Sequence, residues 1–291
     1  MAIILITGAK GQLGSELEVV SKKFINNTYI FTDIDTLDLT NPELTKDFIH
    51  KTRPDWIINC AAYNLVDKAE SEPDAALLIN GTAVKNITDV IEGSECKFIH
   101  ISSDYVYDGQ SNVPYGEYSL PNPLSAYGRS KLAGEKYAML YQGSMVIRTS
   151  WLYSSFGNNF VKTILKYASE RESLNVVVDQ TGTPTYAADL AEAIMGIISG
   201  VNRNQFVLNA GIYNYSNEGI CTWYEFATEI VKEAELNCIV NPVLTKDYHQ
   251  AAQRPPYSVM DKSKIMENYN LSIPHWRVSL QKCMKLLISK T

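Results

Sequence analysis

The 291-residue sequence lacks several features that mark whole classes of protein. It has no run of about 18 apolar residues, so it offers no candidate for a helix that crosses a bilayer. Positive charge is scarce as well: 26 Lys and Arg stand against 32 Asp and Glu, a net charge of −6. Such a balance disfavours non-specific binding to DNA or RNA, which depends on cations that neutralise phosphates. We therefore predict no membrane partner and no nucleic-acid partner.

Cysteine is also infrequent. The five cysteines are odd in number and show no metal-ligand spacing, so we expect neither a disulfide framework nor a zinc site. The first apolar run, Ile3 to Ile6, passes directly into a glycine loop rather than into the longer apolar region of a signal peptide. These features predict a cytoplasmic protein.

Short apolar runs alternate with helical periodicity through the first 150 residues, the pattern of a parallel sheet wrapped by helices. The predicted strands are Ile3 to Thr7, Tyr29 to Thr32, Trp56 to Cys60, Phe98 to Ser102 and Met145 to Thr149. We predict an α/β fold with a doubly wound parallel (Rossmann) sheet over residues 1–150, to which later segments return. Residues 151–291 are predicted to form mostly a smaller, mixed α/β substrate-binding cap. Within them, two adjacent prolines predict an irregular loop over residues 250–258.

A glycine-rich loop follows the first predicted strand directly. Gly8, Gly11 and Gly14 stand in a G-x-x-G-x-x-G spacing that opens a predicted helix. Glycine allows a tight turn and a close backbone approach, and a helix N-terminus offers free N–H groups to a pyrophosphate. Glycines also serve plain turns, but the position between a strand and a helix favours a dinucleotide site. Asp33, after the second strand, is a candidate to accept a hydrogen bond from an adenosine ribose, and a solvated loop carboxylate is the alternative.

Tyr127 and Lys131 stand four residues apart near the start of a predicted helix, so they share one helical face. A nearby ammonium lowers the pKa of a phenol, which would suit proton donation to a developing alkoxide during carbonyl reduction. The same spacing also occurs in exposed helix pairs. Ser103 and Asp104 follow the end of a predicted strand, where open parallel sheets bind their ligands. We therefore expect these residues to face the same crevice as the glycine loop.

With these elements in place, the chain resembles an extended short-chain dehydrogenase/reductase, and specifically the dTDP-4-dehydrorhamnose reductase family. The resemblance lies in the segments ITGAKGQLG, NCAAYNLVDKAESEPDAA, ISSDYVYDG, YGRSKLAGE, RTSWLY, GNNF, DQTGTPT, TWYEFA and RPPYS, in this order between residues 5 and 258. It implies reduction of the C4 keto group of a dTDP-4-dehydro-6-deoxy-L-hexose, converting dTDP-4-dehydrorhamnose to dTDP-L-rhamnose. The hydride would come from NADPH or NADH.

The resemblance also implies roles for individual residues. Ser103, Tyr127 and Lys131 would form the catalytic triad, in which Lys131 holds the nicotinamide ribose, Tyr127 protonates the C4 oxygen and Ser103 hydrogen-bonds that oxygen. The residues expected to bind the cofactor are Gly8, Lys10, Gly11, Gln12, Leu13, Gly14, Asp33, Asp38, Leu39, Ala61, Ala62, Tyr63, Tyr127 and Lys131. Tyr63 stands where other members carry a smaller or more polar residue.

Four residues are expected at the substrate: Ser103, Asp104, Trp151 and Arg254. Trp151 matches the family's tryptophan beside the sugar, and a buried core aromatic is the alternative. Arg254 is the candidate diphosphate anchor because a guanidinium matches phosphate oxygens, with an exposed loop arginine as the alternative. Some members bind a metal through glutamates at a dimer interface; Glu16 matches one of them and the others have no counterpart. We therefore predict no metal, and a homodimer stays open.

Other activities compete with this interpretation. A dehydratase of the same superfamily would carry Asp-Glu after the central hydroxyl residue, whereas Asp104 and Tyr105 follow Ser103 here. An epimerase uses the same Ser-Tyr-Lys set, although the DYVYDG and RTSW segments favour a reductase. A non-catalytic NADP-binding regulatory subunit of methionine adenosyltransferase is a third alternative, disfavoured by Trp151 and the two residues before it. For the coenzyme, Asp33 would repel a 2′-phosphate, which favours NADH, and Lys10 is the nearest candidate cation in sequence. The resemblance implies that NADPH is commonly accepted and that some members use both coenzymes, so dual use is expected.

Overall fold

The computed structural model describes residues 1–248 and 250–289. Its strands, in chain order, are β1 (Ile3–Thr7), β2 (Thr28–Thr32), β3 (Trp56–Asn59), β4 (Lys97–Ser103), β5 (Ser144–Thr149), β6 (Leu152–Tyr153), β7 (Ser173–Val177), β8 (Thr181–Gly182), β9 (Thr185–Tyr186), β10 (Gly211–Tyr215), β11 (Cys221–Thr222) and β12 (Ile239–Val243). Within those residues, six strands form one parallel sheet in the order β10-β5-β4-β3-β1-β2. The remaining strands form three two-stranded pairs in the later half of the chain.

The helices connect these strands and cover the sheet. They are α1 (Gln12–Ser21), α2 (Pro42–Thr52), α3 (Val66–Ala69), α4 (Pro73–Leu77), α5 (Ala83–Ile91), α6 (Ala126–Leu140), α7 (Phe160–Glu170), α8 (Ala187–Asn202), α9 (Trp223–Glu233), α10 (Ser263–Tyr269) and α11 (Trp276–Ile288). A π-helical turn over Leu78–Thr82 joins α4 to α5, so residues 73–91 form one continuous helix.

Apolar sequence runs become strands that are buried on both faces. All four residues of β3 and all six of β5 are buried, as expected for a parallel sheet covered by helices. The five predicted strands agree with β1 to β5 to within one residue at each end. The sixth strand, β10, comes from the later half of the chain and was not predicted.

Helices pack on both sides of the sheet. On one face, Leu17 of α1 and Ile194 of α8 share a core with Ile6 of β1. On the other face, Ile87 of α5 packs in a second core with Ile57 of β3. A third core, built around Phe226, Trp276 and neighbouring side chains, belongs to the later half of the chain. The molecule is therefore a three-layer α/β unit with a smaller cap that has its own core.

The strand order opens a crevice at the carboxyl edge of the sheet. β1 lies between β2 and β3, so successive crossovers diverge there, and ligands of open α/β sheets bind at such a point. Gly8 follows β1 with φ +66, and a Cβ at this position would lie 2.5 Å from the backbone nitrogen of Ala61, which follows β3. Because the backbones approach this closely, only glycine fits. β4 and β5 end beside the same crevice, at Ser103 and Thr149.

The π-helical turn presents one buried polar side chain to this region. Asn80 Oδ1 accepts from the backbone N–H of Tyr63 at 2.8 Å, and Asn80 Nδ2 donates to the hydroxyl of Ser130 at 2.9 Å. Ser130 lies on α6 between Tyr127 and Lys131. Asn80 therefore fixes α6 against the chain that leaves β3.

A buried ion pair fixes α6 against the other strands. Glu135 of α6 and Arg148 of β5 lie 2.6 Å apart, and both side chains are at most 2% exposed. The guanidinium binds both carboxylate oxygens, and the hydroxyl of Ser102 on β4 donates to Glu135 Oε1 at 2.6 Å. One carboxylate thus connects the ends of two strands to the helix that carries Tyr127 and Lys131.

We expect Glu135→Gln to lower the free energy of unfolding by about 3–5 kcal/mol, because Arg148 would remain buried without its counter-ion. Urea denaturation measures this value. Asp89→Asn, which breaks the exposed pair of Lys85 and Asp89, serves as the control and should change stability little. If Glu135→Gln unfolds at the urea concentration of the parent, the pair does not stabilise the fold.

Candidate active site

Two adjoining cavities meet at the glycine loop. The reaction cavity has a volume of about 550 Å³ and reaches from the glycine loop to the cap, and the adenosine cavity has a volume of about 460 Å³ and lies beyond β2. Both are lined by Gly8, Gly11, Cys60, Ala62 and Asn64. Because they share these walls, they form one continuous cleft along the carboxyl edge of the sheet.

Most of the residues singled out in the sequence line this cleft. Those in the reaction cavity are Gly8, Gly11, Gln12, Leu13, Gly14, Ala62, Ser103, Asp104, Tyr127, Lys131 and Trp151. Those in the adenosine cavity, besides the shared ones, are Lys10, Asp33, Asp38, Leu39 and Ala61. Tyr63 and Arg254 line neither cavity.

The glycine loop leads into α1 with a free helix end. Gly11 occupies the N-cap position without any side-chain cap, so the first N–H groups of α1 are available to an anion in the cavity. A Cβ at Gly14 would lie 2.4 Å from the carbonyl oxygen of Gly8, so glycine is required where the loop folds onto the helix. The side chain of Gln12 reaches the cap, where its Oε1 accepts from Asn159 at 2.9 Å.

Ser103, Asp104 and Tyr127 lie together in the reaction cavity. The Ser103 hydroxyl donates to Asp104 Oδ1 at 3.0 Å and accepts from the backbone N–H of Tyr105 at 3.2 Å. Burial raises the pKa of Tyr127 to about 12, with partial compensation by the Ser103 hydroxyl. Burial also raises the pKa of Asp104 to about 6. Tyr127 therefore keeps its proton at neutral pH, which is the form that a proton donor needs.

Lys131 is buried below these groups. Its ammonium donates to the carbonyl oxygen of Ile101 on β4 at 2.6 Å. Burial lowers the pKa of Lys131 to about 8, and the nearby carboxylate of Glu135 opposes this shift. The expectation that Lys131 lowers the pKa of Tyr127 is wrong for this structure, because the ammonium points at the β4 backbone and loss of solvent raises the pKa of the phenol.

The adenosine cavity is lined by the carboxylates of Asp33 and Asp38 and by the side chain of Lys10. Asp33 Oδ2 accepts from the backbone N–H of Lys10 at 2.8 Å, so this carboxylate stabilises the glycine loop itself. The Lys10 ammonium pairs with Asp35 at 2.6 Å, and both side chains are exposed. Asp35 was missed in the sequence, where only Asp33 and Lys10 were weighed. Its position two residues after Asp33 is the signal that could have identified it.

Two sequence-predicted residues have other partners. The hydroxyl of Tyr63 donates to Glu72 at 2.7 Å, so its side chain turns away from the cleft, and Ala62 and Asn64 line the wall instead. Both Nη atoms of Arg254 donate to the carboxylate of Asp67, at 3.1 and 2.7 Å. The guanidinium is thus held outside the reaction cavity.

The cap contributes aromatic and amide side chains that sequence reasoning had not assigned to the site. Trp223 lines the reaction cavity and stacks on Trp151, and Asn158, Asn159 and Phe160 line the same wall. The segments GNNF and TWYEFA contain all four of these unassigned residues, but neither segment reveals which side chains turn inward.

Two further observations concern metal ions and membranes. Glu16 is buried and accepts from the Ser154 hydroxyl at 2.6 Å, and no group of three or more His, Cys, Asp or Glu in residues 1–248 and 250–289 is arranged to hold a metal. None of the described helices is long and apolar enough to cross a membrane.

Comparison with known proteins places the chain in a family. The pattern described as the RmlD substrate binding domain matches residues 1–288. The chain belongs to this family. It is 37% identical over 291 residues to the dTDP-4-dehydrorhamnose reductase of Aggregatibacter actinomycetemcomitans, covering 97% of this chain and 98% of that protein. It is 38% identical over 299 residues to the reductase of the same name from Escherichia coli (strain K12), covering 99% of both.

Solved structures agree with this assignment. A dTDP-4-dehydrorhamnose reductase from Clostridium acetobutylicum superposes with a TM-score of 0.92 at 37% identity, covering 98% of this chain and 99% of that one. The reductase from Bacillus anthracis in complex with NADP gives a TM-score of 0.91 at 37% identity with the same coverage. The predicted resemblance, the Rossmann-type α/β fold and the reductase interpretation with a nicotinamide coenzyme are confirmed, over the epimerase and regulatory-subunit alternatives.

Coenzyme choice should respond to the charges around Lys10. We expect the parent to use both coenzymes with at most about a 10-fold difference in kcat/KM. Asp35→Asn frees the ammonium and removes a negative charge, so it should shift the ratio toward NADPH. Asp33→Ser should act in the same direction, and Lys10→Ala should shift the ratio toward NADH. The measurement is kcat/KM for each coenzyme at fixed salt, because salt screens exposed charges.

The control for this series is Asp47→Asn, the same change on the exposed face of α2, which should leave the ratio unaltered. If Asp35→Asn and Lys10→Ala also leave the ratio within about twofold of the parent, these charges do not distinguish the 2′-phosphate of NADPH from the 2′-hydroxyl of NADH.

Lys131 should impose a pH dependence on stability. Its folded-state pKa of about 8 lies below its ordinary value of 10.5, so between these pH values the unfolded chain binds more protons than the folded one. The free energy of unfolding of the parent, relative to Lys131→Met, should therefore rise with pH over this window, by up to about 3 kcal/mol. Denaturation of both proteins from pH 7 to 10.5 provides the comparison. A difference that is flat or falls with pH would contradict the burial of a charged lysine.

Proposed function

We propose that this chain reduces the C4 keto group of dTDP-4-dehydrorhamnose to the hydroxyl of dTDP-L-rhamnose, with NADPH or NADH as the reductant. The observation that carries the proposal is the convergence of Ser103, Tyr127 and Lys131 in one cavity that continues into the glycine-loop cleft. The Ser-Tyr-Lys chemistry supports carbonyl reduction, and the relatives named as reductases support the substrate.

The cleft fits a dinucleotide. The uncapped end of α1 suits the pyrophosphate, and the wall of Asp38, Leu39 and Ala61 suits the adenosine. Lys131 would hold the nicotinamide ribose at the other end. When bound, the reduced nicotinamide supplies the hydride.

The residues of the chain supply the proton and orient the sugar. As C4 gains hydride, the C=O double bond becomes a C–O single bond, and the Tyr127 hydroxyl gives its proton to the oxygen. Transfer is favourable despite the raised pKa of Tyr127, because an alkoxide is more basic than a phenolate. The Ser103 hydroxyl would hold the oxygen in place.

Arg254 would receive the diphosphate at the rim of the site. In the structure its guanidinium is bound to Asp67, a carboxylate whose geometry resembles that of a phosphate group. A diphosphate would therefore compete with Asp67 for the same N–H groups.

The remaining expectations are proposals of the same kind. All five cysteines are free thiols, which suits the reducing cytoplasm. The lack of nucleic-acid binding stays a prediction and the oligomeric state stays open; filter-binding and sedimentation experiments, respectively, address them.

The direct test is incubation with dTDP-4-dehydro-6-deoxy-L-mannose and each reduced coenzyme, following nicotinamide absorbance and reading product stereochemistry by NMR. We expect stoichiometric coenzyme oxidation with formation of dTDP-L-rhamnose. Sugar interconversion without net oxidation would indicate an epimerase, and the absence of any reaction would overturn the proposal.

Tyr127→Phe should lower kcat by about 100-fold or more, because the ring is retained but the proton donor is lost. Coenzyme affinity should change little. Steady-state kinetics and NADP⁺ titration measure the two effects, and Tyr137→Phe on the same helix, outside the cleft, is the matched control. Near-normal turnover of Tyr127→Phe would remove this residue from the mechanism.

A further inference from the structure

A pair of tryptophans forms one wall of the reaction cavity. The rings of Trp151 and Trp223 are stacked, with centroids 3.6 Å apart and an interplanar angle of 9°. Both residues line the cavity and are half-buried, and Phe160 packs at an angle against Trp223 with a centroid distance of 4.5 Å. Unlike the aromatic side chains of the cap core, such as Phe226 and Trp276, this pair faces the space that the sugar would occupy.

The backbone holds Trp151 in an unusual conformation. Its φ is +48, in the left-handed region that a bulky residue rarely adopts and that costs about 1–3 kcal/mol. The carbonyl oxygen of Trp151 accepts from the N–H of Thr185 at 3.2 Å, and the next two residues pair with Thr185 and Tyr186 as β6 and β9. The surrounding strands therefore impose the conformation, and strain of this kind is typical of functional sites.

Trp223 is fixed equally firmly. It is the first residue of α9, whose N-cap Thr222 and Glu225 form a capping box. Thr222 and Cys221 pair with Thr181 and Gly182 as β11 and β8. This pairing of β11 with β8 fixes Trp223 relative to Gly182, the residue that contacts the Trp151 ring.

Gly182 provides the space for the Trp151 ring. A Cβ at this position would lie 2.7 Å from both Cε2 and Cζ2 of Trp151, so any side chain here would displace the ring. One face of Trp151 is covered by Trp223, and its six-membered ring rests on the backbone of Gly182. The position of Trp151 is therefore determined by these two residues.

We propose that Trp223 and Gly182 determine recognition of the sugar, by fixing Trp151 in an aromatic wall that packs against the C6 methyl group of a 6-deoxyhexose. The inference rests on the proposed function and identifies the part of the substrate that this wall reads. Stacked indole rings offer an apolar surface that suits a methyl group. A C6 hydroxyl against the same surface would lose its hydration without gaining a partner, which is unfavourable.

The test compares the affinities of three ligands, measured by calorimetry in the presence of NADP⁺: dTDP, dTDP-L-rhamnose, and dTDP-L-mannose, which differs from the second by a hydroxyl on C6. The parent should bind dTDP-L-rhamnose more tightly than either of the others. Trp223→Phe should reduce the advantage of dTDP-L-rhamnose over dTDP by about 2- to 10-fold while the affinity for dTDP stays the same. Gly182→Ala should have the same effect, because it displaces Trp151.

Two matched controls separate recognition from stability. Trp276→Phe makes the same change in the core of the cap, away from the cavity, and Gly196→Ala adds a methyl group where no atom beyond its own stretch of helix backbone lies within 4 Å. Both should leave the advantage of dTDP-L-rhamnose unaltered, although Trp276→Phe will lower stability.

The inference is overturned if Trp223→Phe and Gly182→Ala keep the parent's ratio of affinities, or if the parent binds dTDP-L-mannose as tightly as dTDP-L-rhamnose. Failure of the proposed function looks different: the parent would bind dTDP-L-rhamnose selectively yet give no coenzyme oxidation with the keto sugar.

Discussion

The positions of Ser103, Tyr127 and Lys131 depend on the hydrogen bonds and the ion pair of one buried carboxylate, that of Glu135. It accepts from Arg148 on β5 and from Ser102 on β4, and it lies one helical turn beyond Lys131 on α6. Ser103 and Thr149, which line the cavity, directly follow these two partners in the chain. The three elements β4, β5 and α6, which all contribute to the wall of the reaction cavity, are therefore joined at one buried point, where an unpaired charge would be costly. This arrangement therefore positions Tyr127 relative to Ser103 and holds Lys131 in the interior.

Much of the fold could be predicted because buried parallel strands produce continuous apolar runs, as in ILIT of β1 and WIIN of β3. The same reasoning missed β10, whose sequence GIYNY contains no continuous apolar run and which is separated from its neighbour β5 by a long excursion through the cap. Pairing at such a distance is decided by the tertiary structure, since a local pattern carries no information about which strand lies next to it.

The site shows the same contrast between features set by local sequence and features set by the tertiary structure. The positions of Gly8, Ser103, Tyr127 and Lys131 followed from local spacing and strand ends, because each depends on a single element and its neighbour. The partners of Arg254 and Trp151 could not be predicted: Asp67 lies 187 residues from Arg254, and Trp223 comes from another helix. The raised pKa of Tyr127 could not be predicted from the sequence either, since it depends on how completely the folded chain buries this phenol.

The π-helical turn at Leu78–Thr82 limits how this part of the chain can change in length. A π-helical turn contains one residue more than the corresponding α-helical turn, and that residue allows Asn80 to face α6. Loss of one residue here would restore a regular helix and remove the extra residue that turns Asn80 toward α6. Asn80 would then leave Ser130 and Tyr63, although every apolar residue of the segment could still find a buried position. Residues 78–82 should therefore tolerate substitutions at their exposed positions far better than any insertion or deletion.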